Sequence, residues 1–165
     1  MVSSFVRARL SLTLSTLGIG TEGSTISEIQ IDSNECPFKL NCLLMETDDR
    51  TPSFRLSVNI SVKHSTGEFK YVGDNFWIAT TAFDEFLNEL TSVVDAKNDI
   101  TATLRDMSSY LIFGIQNKGN QHEFAFSILE PGVSNPKCAF RSTGQLERSC
   151  VEYVLSQFRD MPRWW

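Results

Sequence analysis

Alternation with a period of two runs through most of this chain. Phe54, Leu56, Val58, Ile60 and Val62 take every second position, and Arg55, Ser57, Asn59, Ser61 and Lys63 take the others. Successive side chains of a strand point to opposite faces, so the segment reads as an antiparallel strand with one dry and one wet face. Val6, Ala8, Leu10, Leu12 and Leu14 alternate in the same way with Arg7, Arg9, Ser11 and Thr13, which predicts a first strand near the N-terminus. Residues 1–20 are also basic, rich in Ser and Thr and free of acids, the composition of a targeting segment, which is the alternative reading there. Further strands are expected at 26–31, 38–46, 68–78, Ile100–Arg105, 110–116, 123–128 and 137–141. The segment 110–116 is almost wholly apolar, as in a strand covered on both faces.

Between these segments lie turn signals. Gly18, Gly20 and Gly23 sit among Ser and Thr; Asp32-Ser33-Asn34, Asp48-Asp49-Arg50-Thr51-Pro52, Ser65-Thr66-Gly67 and Lys118-Gly119-Asn120 separate apolar runs; Pro131, Gly132 and Pro136 mark a loop.

Two stretches change period. Phe83, Phe86, Leu87, Leu90 and Val94 recur at helical spacing, with Asp84, Glu85, Asn88, Glu89 and Asp95 on the other side, predicting an amphipathic helix at about 81–96. Thr81 and Asp84 have the spacing of a capping box, with Asp in place of Glu. Leu146, Cys150, Val154 and Phe158 recur every fourth residue, flanked by Val151 and Leu155, and Pro162 stops the pattern, predicting a second helix at about 143–161. Runs of strands joined by tight turns, then a helix, repeated once, indicate an α+β fold: an antiparallel curved sheet or open sandwich of about seven to nine strands with two packed helices. No internal sequence repeat and no linker is visible, so residues 1–165 read as one domain.

Composition narrows the partners. The chain of 165 residues carries a formal net charge of −5, which opposes a nucleic-acid partner. No apolar run is long enough to span a membrane. The 12 Phe against 3 Tyr suggest rings used for packing. Cys36, Cys42, Cys138 and Cys150 show no CxxC spacing and read as reduced, buried thiols of a cytoplasmic protein, with a disulfide or zinc site as the minor reading.

Catalytic apparatus is not evident. Gly18 and Gly20 lack the rest of a phosphate-binding loop, and neither a GxSxG elbow nor an HExxH pair occurs. His64 and His122 stand at strand ends beside turns with no nucleophile in a local motif. The carboxylate pairs Asp48-Asp49 and Asp84-Glu85 lie in a polar turn and in the expected first turn of a helix, where negative charge suits the dipole. No cofactor or metal is expected. Six acids and one base between Asp74 and Asp99 would make the exposed side of the first helix an acidic stripe, either a solvated face or a docking surface for a basic partner. The terminal Arg163-Trp164-Trp165 either packs back on the sheet or forms a contact patch.

The middle of the chain resembles bacterial immunity proteins of the WapI-associated type. The likeness lies in Gly73-Asp74-Asn75-Phe76-Trp77-Ile78, then Phe83, Phe86, Leu87 and Leu90, the strand Tyr110-Leu111-Ile112-Phe113, Phe124 and Phe126, and Leu146, covering roughly residues 68–158. These are mostly core positions. The resemblance implies tight, non-catalytic binding of one cognate toxin in the cytosol of the producing cell. The charge pattern, not the family, nominates Asp84, Glu85, Glu89 and Asp95 as partner contacts, and the enrichment of tryptophan in interface hot spots adds Trp164 and Trp165. Two other classes are carried alongside: a small-ligand or lipid binder using a cavity of the Phe-rich sheet, and an enzyme of unfamiliar type using His64, His122 or a cysteine.

Overall fold

Phe38, Leu40 and Cys42 on one strand, and Phe54, Leu56, Val58, Ile60 and Val62 on the next, are all buried, so the alternating positions do form the dry faces of strands. The computed structural model describes residues 27–130 and 138–165. The strand expected at Val6–Leu14, the glycine loop after it and the Pro131–Pro136 loop lie outside the described residues. The elements run β1 (Glu28–Ile31), β2 (Phe38–Asp48), β3 (Ser53–His64), β4 (Gly67–Ala79), α1 (Thr80–Asp95), β5 (Ile100–Arg105), β6 (Leu111–Lys118), β7 (Gln121–Glu130), β8 (Cys138–Leu146) and α2 (Arg148–Arg159).

The described strands form two antiparallel sheets of four, β1-β2-β3-β4 (sheet A) and β5-β6-β7-β8 (sheet B), so of the two expected arrangements the single curved sheet is not the one formed. The reason is α1. The chain leaves β4 at Ala79 directly into a helix, which rules out a hairpin between β4 and β5, and the two strands end in different sheets. A four-stranded meander followed by a helix thus occurs twice, without a visible repeat in the sequence.

Sheet A carries a register shift between Leu56 and Val58 of β3, opposite Phe76 and Gly73 of β4. Asp74 and Asn75 together stand opposite Ser57, and this one extra residue reverses the inward parity of β4, so Phe69 and Tyr71 before the bulge and Phe76 and Ile78 after it all meet the core. Gly73 is required there, because a Cβ would lie 2.6 Å from the Tyr71 hydroxyl and 2.9 Å from the Phe76 ring. The β6–β7 hairpin turns at Gly119 (φ 59°) and Asn120 (φ 68°). Positive φ at both central residues matches the twist of the flanking strands.

One continuous cluster of buried side chains draws on both sheets and both helices. Phe38 of β2 meets Phe113, Phe124 and Phe126 of sheet B at ring separations of 5.9, 4.9 and 5.1 Å. Phe69 of β4 stacks on Phe140 of β8, bringing those two edges together. At the opposite edges α1 packs beside β5, and α2 beside β1 and α1. Phe86 and Phe158 reach Phe113 from the two helices, at 6.0 and 5.9 Å. Aromatic rings therefore fill the space between the sheets.

Three local expectations change. Residues 143–146 belong to β8, where Thr143 pairs with Ala125 and Leu146 with His122. Leu146 and Cys150 are four apart, a spacing that also fits period two, and α2 begins only at Arg148. The cap of α1 is Ala79 with no side-chain hydrogen bond, so the Thr81–Asp84 box does not form. Thr80 instead anchors the helix start, its amide and hydroxyl both donating to the Pro52 carbonyl. Third, Cys36 and Cys150 are joined in a disulfide, their Cα atoms 5.5 Å apart. This corrects the reading of reduced thiols: residues 114 apart in sequence are brought together when α2 docks beside β1 and the start of β2. Cys42 is free and buried. No helix among the described residues is long and apolar enough to cross a membrane.

Candidate functional site: the open face of sheet B

The residues of β5–β8 that point away from the core fall into rows across the sheet, fixed by strand register. Thr101, Gln116, Glu123 and Gln145 form one row; Thr103, Gly114, Ala125 and Thr143 the next; Arg105, Ile112, Ser127 and Arg141 the third. Beyond them Leu129 pairs with Ala139, and the Leu129 amide donates to the Tyr110 carbonyl at 2.7 Å. The middle row carries the smallest side chains, so it is the floor of a shallow groove of about 350 Å³ lined only by strand residues. Residues 111–116 are therefore fully covered on the core side and only partly on the other, where Ile112 and Gln116 remain half-buried and Gly114 is buried between them.

Charge and apolar surface divide this face. Gln116 donates to the Glu123 carboxylate at 2.7 Å, which ties the first row together. Arg105 and Arg141 stand exposed at the two ends of the third row, and neither makes an ion pair or hydrogen bond with any described residue. Exposed Tyr110 and Leu129 continue the face on the far side of that row. Arginine, tyrosine and apolar residues around a small-residue floor are the composition of interface centres.

The outer face of sheet A differs. Lys39 pairs with Asp32 at 2.6 Å and Lys70 with Glu68 at 3.1 Å. Ser61 donates to Glu68 and Asn41 to Glu28. The hydrogen bond from Ser61, reinforced by Lys70, holds the Glu68 carboxyl below its usual range, and the bond to Asp32 raises Lys39. Most of its charges are paired within the sheet, Lys63 being the exception, whereas neither guanidinium group of the sheet B face has a partner among the described residues.

The acids expected to form a docking stripe on α1 are largely engaged by the fold. Asp84 accepts from the Trp165 indole at 2.9 Å and lies 3.6 Å from the Arg163 guanidinium, an ion-pair contact too long for a hydrogen bond. Glu89 accepts from the Thr103 amide at 3.1 Å, covering the β5 edge. Asp95 pairs with Arg148 at 2.8 Å. Glu85 is exposed and has no described partner. Trp165 stacks on Phe54 (5.5 Å, 14°) and meets Phe83 edge-on, and Trp164 packs edge-on against Phe54. The terminal pair thus packs back onto β3 and α1, while Trp164 stays 40% and Trp165 37% exposed.

The groups considered for chemistry are dispersed. His64 is exposed at the end of β3, and His122 is half-buried with Nε2 3.3 Å from the Val93 carbonyl. Burial pushes the Cys42 thiol up to about 12, far from a usable thiolate. Asp48 accepts from the amides of Arg50 and Thr51, a turn-closing role. Among the described residues no three His, Cys, Asp or Glu gather as a metal site.

Sequence reasoning did not single out Arg105, Gly114, Ala125 or Arg141. Each of the four strands shows its own outward residues, but the pairing that sets two arginines on one row is a long-range property. A glycine inside an otherwise apolar strand was the available signal. No protein-family model matches the chain, and no curated protein or solved structure matches it either.

Proposed function

We propose that this chain is a non-catalytic protein-binding module and, in line with its resemblance to WapI-associated immunity proteins, that it neutralises a cognate toxin by covering it. The observation that carries the reading is the open face of sheet B. There two guanidinium groups without partners among the described residues and exposed Tyr110 and Leu129 surround a floor of small residues. Charged groups left unpaired on a rigid sheet are available to a partner at no cost to the fold. The ring packing between the sheets also supports surface binding over a ligand held in the core. The Cys36–Cys150 disulfide favours an encounter in an oxidising compartment over the cytosolic one that the resemblance implies.

The test is photo-crosslinking in cells, with a benzophenone amino acid at Ser127 on sheet B, Asn59 on the outer face of sheet A, or Glu85 on α1. One discrete protein adduct at Ser127 and none at Asn59 is expected. Adducts at Glu85 alone would move the contact surface to α1, and their absence at all three positions would remove the protein-binding reading. For the toxin assignment the readout is survival: co-expression with the toxin encoded beside it protects, and equal killing with and without this chain refutes immunity.

A further inference from the structure

Gly114 sits in the middle of β6, paired with Thr103 on one side and Ala125 on the other. The fold does not require it. Its φ lies outside the left-handed region, and an added Cβ would meet only the Ala102 carbonyl oxygen at 3.4 Å and Thr103 Oγ1 at 3.9 Å, ordinary contacts. Gly144 on β8 is the contrast, since a Cβ there would lie 2.5 Å from the Phe124 ring. A strand-interior glycine with no internal reason weakens the strand and marks a place where another backbone comes close.

The arginines give that backbone a charge pattern. Arg105 and Arg141 are on β5 and β8, three strand spacings apart, or about 14 Å. That separation is too long for one small anion. It matches residues i and i+4 of an extended chain, which rises about 3.4 Å per residue. The floor row Thr103–Gly114–Ala125–Thr143 runs beside the arginine row.

We propose that the groove on sheet B is the seat of an extended acidic segment of the protein partner, crossing the strands over Gly114 and Ala125 with two carboxylates four residues apart on Arg105 and Arg141. This deepens the protein-binding reading and rests on it. Carboxylate–guanidinium pairing supplies the recognition, and the missing Cβ at Gly114, which lies buried between Ile112 and Gln116, shortens the approach of the peptide backbone once those side chains part.

The experiment is fluorescence anisotropy at low salt with the full chain. The probe is a fluorescein-labelled nonapeptide of serine and threonine with glutamates at its third and seventh positions. The same peptide with glutamates at third and fifth positions, and one with lysines, serve as comparisons. The first peptide is expected to bind about tenfold more tightly than either. Arg105→Ala with Arg141→Ala is expected to weaken it by about tenfold or more. Gly114→Val should abolish binding while leaving the thermal midpoint unchanged or higher. Asn59→Val on sheet A should leave binding unchanged. Equal binding by Gly114→Val, or equal binding of the lysine peptide, overturns the proposal. If the glutamate peptide does not bind but Ser127 still crosslinks to a protein, the acidic-segment inference fails and the protein-binding reading stands.

Discussion

Removing the Cys36–Cys150 cross-link, by Cys36→Ser with Cys150→Ala or by reduction, should lower stability sharply. The two cysteines are 114 apart, so the bond closes most of the described chain into one loop in the unfolded state. The loop-closure relation for a ring of that size gives about 5 kcal/mol at 25 °C. Compact denatured chains reduce the gain, and the expected loss is about 3–5 kcal/mol. For a chain of this length that corresponds to a fall in thermal midpoint of about 12 °C. Urea unfolding, followed by tryptophan fluorescence and circular dichroism on the oxidised and cross-link-free proteins, measures it. The slope against urea should steepen as well, because the released chain exposes more surface. A loss under 1 kcal/mol, or free thiols at both positions in protein prepared without reductant, would refute the argument.

Other consequences follow from the core and the surface. Phe38→Ala removes the ring that joins sheet A to three rings of sheet B, and should cost about 3–5 kcal/mol in urea unfolding. Cys42 should resist iodoacetamide at pH 8 until the chain unfolds, since its thiol is buried and pushed up to about 12; peptide mass spectrometry reads the modification. The Glu68 carboxyl is held below the usual glutamate range by the Ser61 hydrogen bond, so its contribution is present above that range and lost as pH falls through the lowered value. Glu68→Gln should therefore be less stable than the parent at pH 7, with the difference shrinking as pH falls into the acid range in a pH series of urea titrations.

Much of the secondary structure was legible along the chain. The run from Phe54 to Lys63 announces β3 because period two is a local property of a half-buried strand. Phe83, Phe86, Leu87 and Leu90 announce α1 because 3.6-residue spacing is equally local, and all four side chains are buried. Leu146 was misassigned because its spacing from Cys150 satisfies both periods, and only pairing with His122 on β7 places it in a strand.

Local order alone determined the dry side of β3 and of α1, where the hairpins turn and that two helices accompany an antiparallel set of strands. The tertiary structure decided that the strands divide into two sheets, that Cys36 meets Cys150, that three of the four nominated acids of α1 find partners elsewhere in the chain, and that Arg105, Gly114 and Arg141 share one face. Each of these joins residues far apart in sequence. The periodicity of a segment reports which of its sides is dry, but carries nothing about which other segment lies beside it; that is set by the packing of the whole.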